Sequence, residues 1–421
     1  MRGTFDDASS SESMELPLGT GSIEVSLPAC DVTVARAPGG EVVDVHEAAE
    51  RAVTDPLGPS LAERIDPEDE VAIVVTDHTR SAPDDVLLDV LLTALIDCGV
   101  SREQVTVVIG LGLHRPMTDD EIETMLGPHA DLAVNHDPAR VVEVGSVDGC
   151  PIEIGAPVAS ADRVLSTGVV EPPQYAGFSG GAKTVVIGAG GEPLIKHTHG
   201  PDLLAREGVR LGRIDDNPFR ETLDRAGDLV GVDYCCNLTY GPDGVLGVRA
   251  GDHRTVVAEL AAVARDALSV RIDREYDAVV AGVGSPKDAN LYQATRAATY
   301  VALGARNPLG TGGRLVVPAA LPEGAGQGTG ERRFYRRLNE ATDPETLYQE
   351  LRSGYEPGAQ RAFVVSRVLR EHDLYVTDSQ APDVVADCLC RPVETVADAV
   401  ELGSEVLVVP DALNTLLVGA E

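Results

Sequence analysis

Apolar residues along this chain fall into two repeating patterns. Short, nearly unbroken apolar runs at residues 70–76, 104–109, 163–167, 276–283, 313–318 and 406–409 have the length and β-branched content of buried strands. Between them, apolar positions spaced three and four apart predict helices over 84–98, from 119 to at least 125, and over 217–226, 254–268 and 289–303. Strand, loop and helix in that order predict an α/β protein with mainly parallel sheets. The stretch 19–35 alternates like an antiparallel hairpin, followed by a turn at Pro38-Gly39-Gly40. Residues 1–16, serine-rich and acidic, are expected to be disordered.

At 421 residues the chain exceeds what one core organises, so two domains are expected. The helix at 254–268 closes the first and a clean new strand opens the second. This places an N-terminal α/β domain at 17–271 and a smaller C-terminal one at 272–421, with the glycine-rich 324–330 as a mobile loop on the latter and no internal repeat. Each polar motif described below follows a predicted strand, where doubly wound sheets present their binding loops. The active site is therefore expected in the cleft between the domains.

Charge adds a statement about the solvent. The 68 acidic residues outnumber 34 basic ones for a net charge of −34, and they are dispersed over the whole chain. Such a surface with almost no lysine suits a protein hydrated in high salt, where self-repulsion is screened within a few ångströms, so a halophilic cytoplasm is the expected location. The same charge argues against nucleic acid and anionic membranes as partners. Seven cysteines, none in a C-x-x-C pair, predict reduced core thiols and no structural zinc site. No apolar run approaches the ~20 residues of a membrane span, and no signal peptide is evident at the start.

The rarity of lysine directs attention to one of the three present, Lys183, which stands in the loop Ala176-Gly177-Phe178-Ser179-Gly180-Gly181-Ala182-Lys183-Thr184. An arginine serves as well for solubility and ion pairing, but only an amine forms a covalent carbonyl adduct. The loop nearly spells the phosphate-binding G-x-x-x-x-G-K-[ST]. Its context argues against that reading: Pro172-Pro173 precedes it and Val185-Val186-Ile187-Gly188 follows, where a strand and an amphipathic helix are required.

Three further clusters carry polar chemistry. Asp77-His78-Thr79-Arg80 closes the 70–76 strand and suits recognition of a hydroxyl and a carboxylate, although an isolated D-x-x-R is more often a cap with a surface ion pair. Gly110-Leu111-Gly112-Leu113-His114-Arg115-Pro116 fixes a histidine as a general base requires, just before a Thr118/Glu121 capping box. Lys196-His197-Thr198-His199 holds two histidines two apart, which do not form a ready two-histidine metal site. Farther on, Asn290-Leu291-Tyr292-Gln293-Ala294-Thr295-Arg296 opens a helix with Gln293 and Arg296 on one face.

Together these segments, spanning about 70 to 300, resemble the nickel-dependent lactate racemase family, whose members carry a nickel-pincer nucleotide. The matching residues are Asp77 and Arg80, His114 behind Gly112, the loop to Lys183, His199 sixteen residues later, and Tyr292-Gln293 with Arg296. The resemblance implies that Lys183 holds the pyridinium thioamide mononucleotide, with Asp77, Gly177, Ser179, Gly180 and Gly181 around it, and that His199 binds nickel. It implies that Arg80, Arg296, Tyr292 and Gln293 bind a small 2-hydroxy acid and that His114 takes the hydroxyl proton. The implied catalytic set is then His114, Lys183, Arg80 and Arg296, and the implied reaction is racemisation or epimerisation by reversible hydride transfer. Enzymes that build the cofactor are the implied partners.

Two departures from the family pattern stand out. Arg296 replaces a lysine and keeps the charge, whereas Pro173 stands where the family has a second catalytic histidine. A water or Tyr175 relays that proton, or His197 reaches in, or the substrate needs a base on one side only. Two other readings remain: a protein that binds or matures the nucleotide without turnover, and a nicotinamide dehydrogenase. The latter ranks last because no G-x-G-x-x-G opens a βαβ unit with an acid ~20 residues on.

Overall fold

The structure is a computed structural model that describes residues 5–7, 13–356 and 358–419. The chain packs as two compact units, one of residues 39–199 and 206–267, the other of 13–38, 200–205 and 268–419.

Among the described residues the first unit carries a six-stranded sheet in the order Gly244–Gly251, Val232–Gly241, Arg163–Val169, Val71–Thr76, Val105–Gly110, Ala133–Asn135. All neighbours run parallel except Val232–Gly241 with Gly244–Gly251. Val71–Thr76 shows why its sequence is apolar throughout. Val71, Ile73 and Val75 pack under the helix Asp84–Asp97, while Ala72 and Val74 face a second cluster with Val108, Ala182 and Val185. Both faces are covered, so the period-two signal vanishes. The chain builds outward from Val71–Thr76 in one direction and returns to add Arg163–Val169 on its other side. This leaves a crevice at the carboxyl ends of those two strands, the place where open α/β sheets bind ligands.

The second unit is built on a seven-stranded sheet: Phe5–Asp7, Asp31–Ala35, Glu405–Val409, Tyr276–Ala281, Leu309–Pro318, Asp373–Thr377, Arg391–Val393, parallel apart from its first pair. Helices Leu291–Ala302, Thr329–Asn339 and Gln360–Leu369 belong to it. Among the described residues no helix is long and apolar enough to cross a membrane. The described cysteines are all free, six of them buried, as expected of core thiols.

The fold is α/β with mainly parallel sheets, as the strand and helix rhythm predicts, but the start of the chain differs from expectation. Residues 1–4 and 8–12 lie outside the described residues; Phe5–Asp7 and Met14–Leu18, expected to be disordered, are strands. The hairpin pairs Met14–Leu18 with Gly21–Val25, and so begins earlier than the alternation suggests. Asp31–Ala35 leaves it to run parallel to Glu405–Val409, so residues up to 38 join the C-terminal unit and not a domain beginning at 17. The reason is burial: Val32 and Val34 complete a cluster with Ala278, Val280, Val406 and Val408, a partnership between the two ends of the chain. The hairpin Val141–Val147/Cys150–Gly155 and the strands Val232–Gly241 and Gly244–Gly251 are also absent from the sequence-derived pattern, because glycine and acidic residues interrupt their apolar runs.

This pairing predicts that Val34→Asp, which buries an unpaired carboxylate, costs about 3 kcal/mol or more. Hydrogen exchange should quicken at Glu405–Val409 while Val71–Thr76 keeps its protection.

Candidate functional site

A cavity of about 260 Å³ opens at the crevice and is lined by residues of the first unit. Its walls come from the ends of three adjacent strands: Asp77 and Arg80 after Val71–Thr76, Gly110 to His114 after Val105–Gly110, and Glu171 after Arg163–Val169. Ser179, Gly180, Lys183, Thr184 and His199 complete it. Beneath, the hydroxyls of Thr167 (2.5 Å) and Thr76 (3.2 Å) donate to the buried Asp84, tying two strand ends together. Burial pushes the Asp84 carboxyl up to about 6 in spite of these donors.

The lysine loop owes its shape to glycine at specific points. Gly177 has φ +74°, and a Cβ there would meet the Arg213 carbonyl oxygen at 1.7 Å. Gly180, at φ +78°, passes so close to Asn237 and Val170 that no side chain fits. Asn237 Oδ1 accepts the Gly181 N–H at 2.7 Å, and the buried Arg220 donates to the carbonyls of Phe178 and Gly180 while pairing with Asp224. Ser179 Oγ donates to the Val169 carbonyl at 2.6 Å and accepts the Glu171 N–H at 3.0 Å. Of the loop residues expected at a cofactor, Ser179 and Gly180 form wall, whereas Gly177 and Gly181 set backbone geometry. After Lys183 the chain makes a single π-helical turn, Thr184–Gly188, where a phosphate loop would continue into an α-helix. Gly188 then abuts Gly110, with a Cβ on either placed within 3.0 Å of the other residue's backbone, and accepts the Gly112 N–H at 2.8 Å. This approach brings the histidine loop to the lysine loop.

His114 Nδ1 lies 2.5 Å from Asp77 Oδ2. The other oxygen of Asp77 accepts the N–H (3.1 Å) and O–H (2.5 Å) of Thr79, and the residue is 4% exposed. Burial alone would raise its pKa, but the His114 and Thr79 hydrogen bonds outweigh it and hold the carboxyl at about 2. A carboxylate so fixed accepts a hydrogen bond from Nδ1–H of His114 and leaves Nε2 with its lone pair, in the half-exposed ring. Asp77 is thus a support for His114 and not the surface cap that an isolated D-x-x-R would be. Arg80 pairs with Glu171 at 3.3 Å, both side chains being about two-fifths exposed.

Burial lowers Lys183 from its ordinary 10.5 to about 8, helped by the cations Arg80 and Arg220 and opposed by Glu171 and Asp77. Half of such amines are free base near pH 8, against roughly one in a few hundred for an unperturbed lysine. His199 caps the helix Glu192–Thr198, its Nδ1 3.1 Å from the Ile195 carbonyl and 3.1 Å from Thr198 Oγ1, and its ring meets Tyr175 and Phe219 edge-on. Donation to that carbonyl leaves Nε2 as the lone-pair nitrogen. Burial pushes the imidazole down to about 4, with the Ile195 bond opposing and Lys183 assisting, so it is neutral at pH 7 as a metal ligand must be. The wall includes His199 and not His197.

Tyr292, Gln293 and Arg296 stand on Leu291–Ala302 in the other unit, where Asn290 caps the helix by accepting the Gln293 N–H at 3.1 Å. Gln293 Oε1 and Arg296 Nε are buried without a hydrogen-bond partner among the described residues. Orphaned polar atoms of this kind are costly unless a ligand meets them. Tyr292 packs edge-on against Phe334. The sequence reading missed Glu171, Arg220 and Asn237. For Arg220 a signal exists: an Arg/Asp pair at i, i+4 on the face of a helix that otherwise carries Phe219 and Leu223.

Similarity to known proteins extends over both parts of the chain. The family model of the lactate racemase N-terminal domain matches residues 18–212, and that of the lactate racemase C-terminal domain matches 273–417. The lactate racemase of Lactiplantibacillus plantarum is 26% identical over 394 residues, 88% of this chain and 91% of the relative. The lactate racemase of Thermoanaerobacterium thermosaccharolyticum is 23% identical over 431 residues, 96% of this chain and 99% of the relative. The fold is that of the solved lactate racemase apoprotein from the latter organism, with a TM-score of 0.85 at 22% identity, covering 96% of this chain and 100% of that one.

The amine's environment gives a direct test. Acetylation followed by peptide mass mapping, with Lys196 and Lys287 as internal references, should show Lys183 reactivity rising with a midpoint near pH 8. Arg80→Gln removes a cation and should move the midpoint up; a midpoint indifferent to that change contradicts the assignment.

Proposed function

Because the chain belongs to the lactate racemase family and is an isomerase of the racemase type, we propose that it interconverts the stereoisomers of a small 2-hydroxy acid with a nickel-pincer nucleotide on Lys183. The observation that carries this reading is the presence, on one cavity wall, of an amine brought down to about 8 and a neutral imidazole whose Nδ1 is already engaged. That pair fits the group: a nucleophilic nitrogen for the covalent link and a ligand for nickel, which accepts imidazole readily. Among the described residues no group of three or more His, Cys, Asp or Glu side chains is placed to hold a metal ion. A nickel held by one histidine therefore needs the remaining donors from the nucleotide itself. When bound, the nucleotide supplies a pyridinium ring that accepts a hydride.

The chain's own residues supply the rest. Arg80 binds the substrate carboxylate through its planar guanidinium. His114 Nε2 accepts the hydroxyl proton as the Cα hydrogen leaves, and Asp77 stabilises the imidazolium so formed. The loop of Gly177 to Gly181, pinned by Arg220 and Asn237, keeps the Lys183 amine from swinging. By the family resemblance Gln293 and Arg296 are assigned to the substrate as well, in keeping with Gln293 Oε1 and Arg296 Nε being buried without a hydrogen-bond partner among the described residues. The dispersed negative charge is read as adaptation to a salty cytoplasm and has no part in the chemistry.

Intact mass and nickel content, measured on protein co-expressed with cofactor-synthesis enzymes, test the reading. Wild type should carry a nucleotide-sized increment and about one nickel; Lys183→Ala should carry neither, and His199→Ala should keep the adduct while losing metal. Nickel retained in His199→Ala and lost in His197→Ala would reverse the choice of ligand. Adduct-free, nickel-free wild type would leave the non-catalytic binding or maturation role. In loaded protein, Asp77→Asn should lower kcat by roughly 10²–10⁴-fold by releasing the His114 tautomer.

A further inference from the structure

Six charged or titratable side chains line the cavity, and five have a use: Asp77 orients His114, His114 is a base, Arg80 binds an anion, Lys183 and His199 hold the cofactor. Glu171 has none. Resting on the function proposed above, we propose that Glu171 is the second proton-handling group of the reaction. It serves the enantiomer whose hydroxyl points away from His114, once the substrate carboxylate has taken its place on Arg80.

The sheet order supplies the geometry. Val71–Thr76, which carries Arg80, lies between Val105–Gly110, which leads to His114, and Arg163–Val169, which leads to Glu171. A substrate anchored by its carboxylate on the central strand's arginine thus has an imidazole to one side and a carboxylate to the other. Flanking strands are about 10 Å apart, a separation that a small hydroxy acid and two side chains fill. Mirror-image substrates held by the same carboxylate present their hydroxyls in different directions, and each needs an acceptor.

The local chain is built to hold this group still. The Glu171 N–H donates to Ser179 Oγ at 3.0 Å and its carbonyl accepts the Ser179 N–H at 2.8 Å, so the backbone is fixed while the side chain is open to the cavity. From 171 to 175 burial alternates, with Glu171, Pro173 and Tyr175 partly open and Pro172 and Gln174 buried. Glu171 therefore shares a face with Pro173, which has no proton to exchange. Neither Tyr175 nor His197 is part of the cavity wall, whereas Glu171 is.

The step balances. Glu171 Oε would take the hydroxyl proton as the C–O bond becomes C=O, and the cofactor's pyridinium, when bound, would supply the acceptor for the hydride that the Cα–H bond releases. Protonation of the carbonyl oxygen by His114, which enters this direction as the imidazolium, with the hydride returned to the other face of the carbonyl carbon, would yield the opposite enantiomer, and the proton left on Glu171 would pass back to His114 through solvent before the next turnover. The Arg80–Glu171 pair at 3.3 Å neutralises the anion site at rest, so the substrate carboxylate displaces Glu171 at the moment its base function is required.

Loaded protein mixed with a single enantiomer of lactate or 2-hydroxybutyrate, acid-quenched within one turnover and assayed for the 2-oxo acid, separates the two bases. Glu171→Gln keeps the backbone bonds, and it should form oxo acid from one enantiomer within about twofold of the wild-type rate and from the other at least ~100-fold more slowly. His114→Gln should show the opposite preference, and Glu171→Asp should regain part of the lost rate. Independently of cofactor, lactate titrated calorimetrically into the apoprotein should bind Glu171→Gln at least ~5-fold more tightly than wild type, because an amide does not compete for Arg80. Equal slowing of both enantiomers, or slowing of neither, overturns the proposal, as does unchanged apoprotein affinity. Loaded wild type that forms no oxo acid from either enantiomer overturns instead the racemase reading, and this proposal with it.

Discussion

Lys183 sits in a cavity wall where burial desolvates its amine and two guanidinium groups, Arg80 and Arg220, add positive potential. An ammonium there is less favoured than in water, which brings the amine down to about 8 and makes the free base far more accessible than in an ordinary lysine. Much of the unit follows from keeping that amine in place. The loop must turn through left-handed backbone at Gly177, Gly180 and Gly181, and its carbonyls and amides need fixed partners. Arg220 and Asn237, both buried, provide them. The cation that orders the loop also lowers the lysine, so one residue serves geometry and electrostatics together.

A second constraint is the glycine pair that joins the histidine loop to the π-helical turn. Gly110 and Gly188 approach so closely that a methyl group on either would force the two loops apart. The turn itself starts at the residue after Lys183, which makes the lysine's position depend on that approach as well. Across it the His114–Asp77 pair is held at a strand end whose register is set by a fully buried sheet. Acid-base pair, amine and imidazole thus keep their spacing through the backbone, which leaves the cavity side chains free to meet a ligand.

The environments of Asp77 and His199 favour opposite charge states, although each lowers the pKa of its group. Asp77 is desolvated yet charged because it accepts three hydrogen bonds from neighbours with protons to give. His199 is neutral because burial disfavours the imidazolium and Lys183 adds to that, although the Ile195 carbonyl at Nδ1 opposes it. The first arrangement suits the support of a base and the second suits a metal ligand, the roles proposed for them above. Neither role is legible from residue type alone.

The sequence by itself determined the α/β class, the places of its central strands and helices, and the short-range chemistry. The capping box at Thr118/Glu121, the glycine-rich lysine loop and the lone amine in a chain of arginines are all local in sequence, and local spacing carries their meaning. Tertiary structure alone decided the rest. That Asp31–Ala35 belongs with Glu405–Val409 depends on a shared buried cluster, which no window of neighbouring residues reveals. Glu171 reads as an ordinary acidic residue among 68 acidic ones until the sheet order sets it beside Arg80, across from His114. The physical reason is common to both cases: strand pairing and burial join residues far apart in the chain, and a charge acquires its function from what is folded next to it.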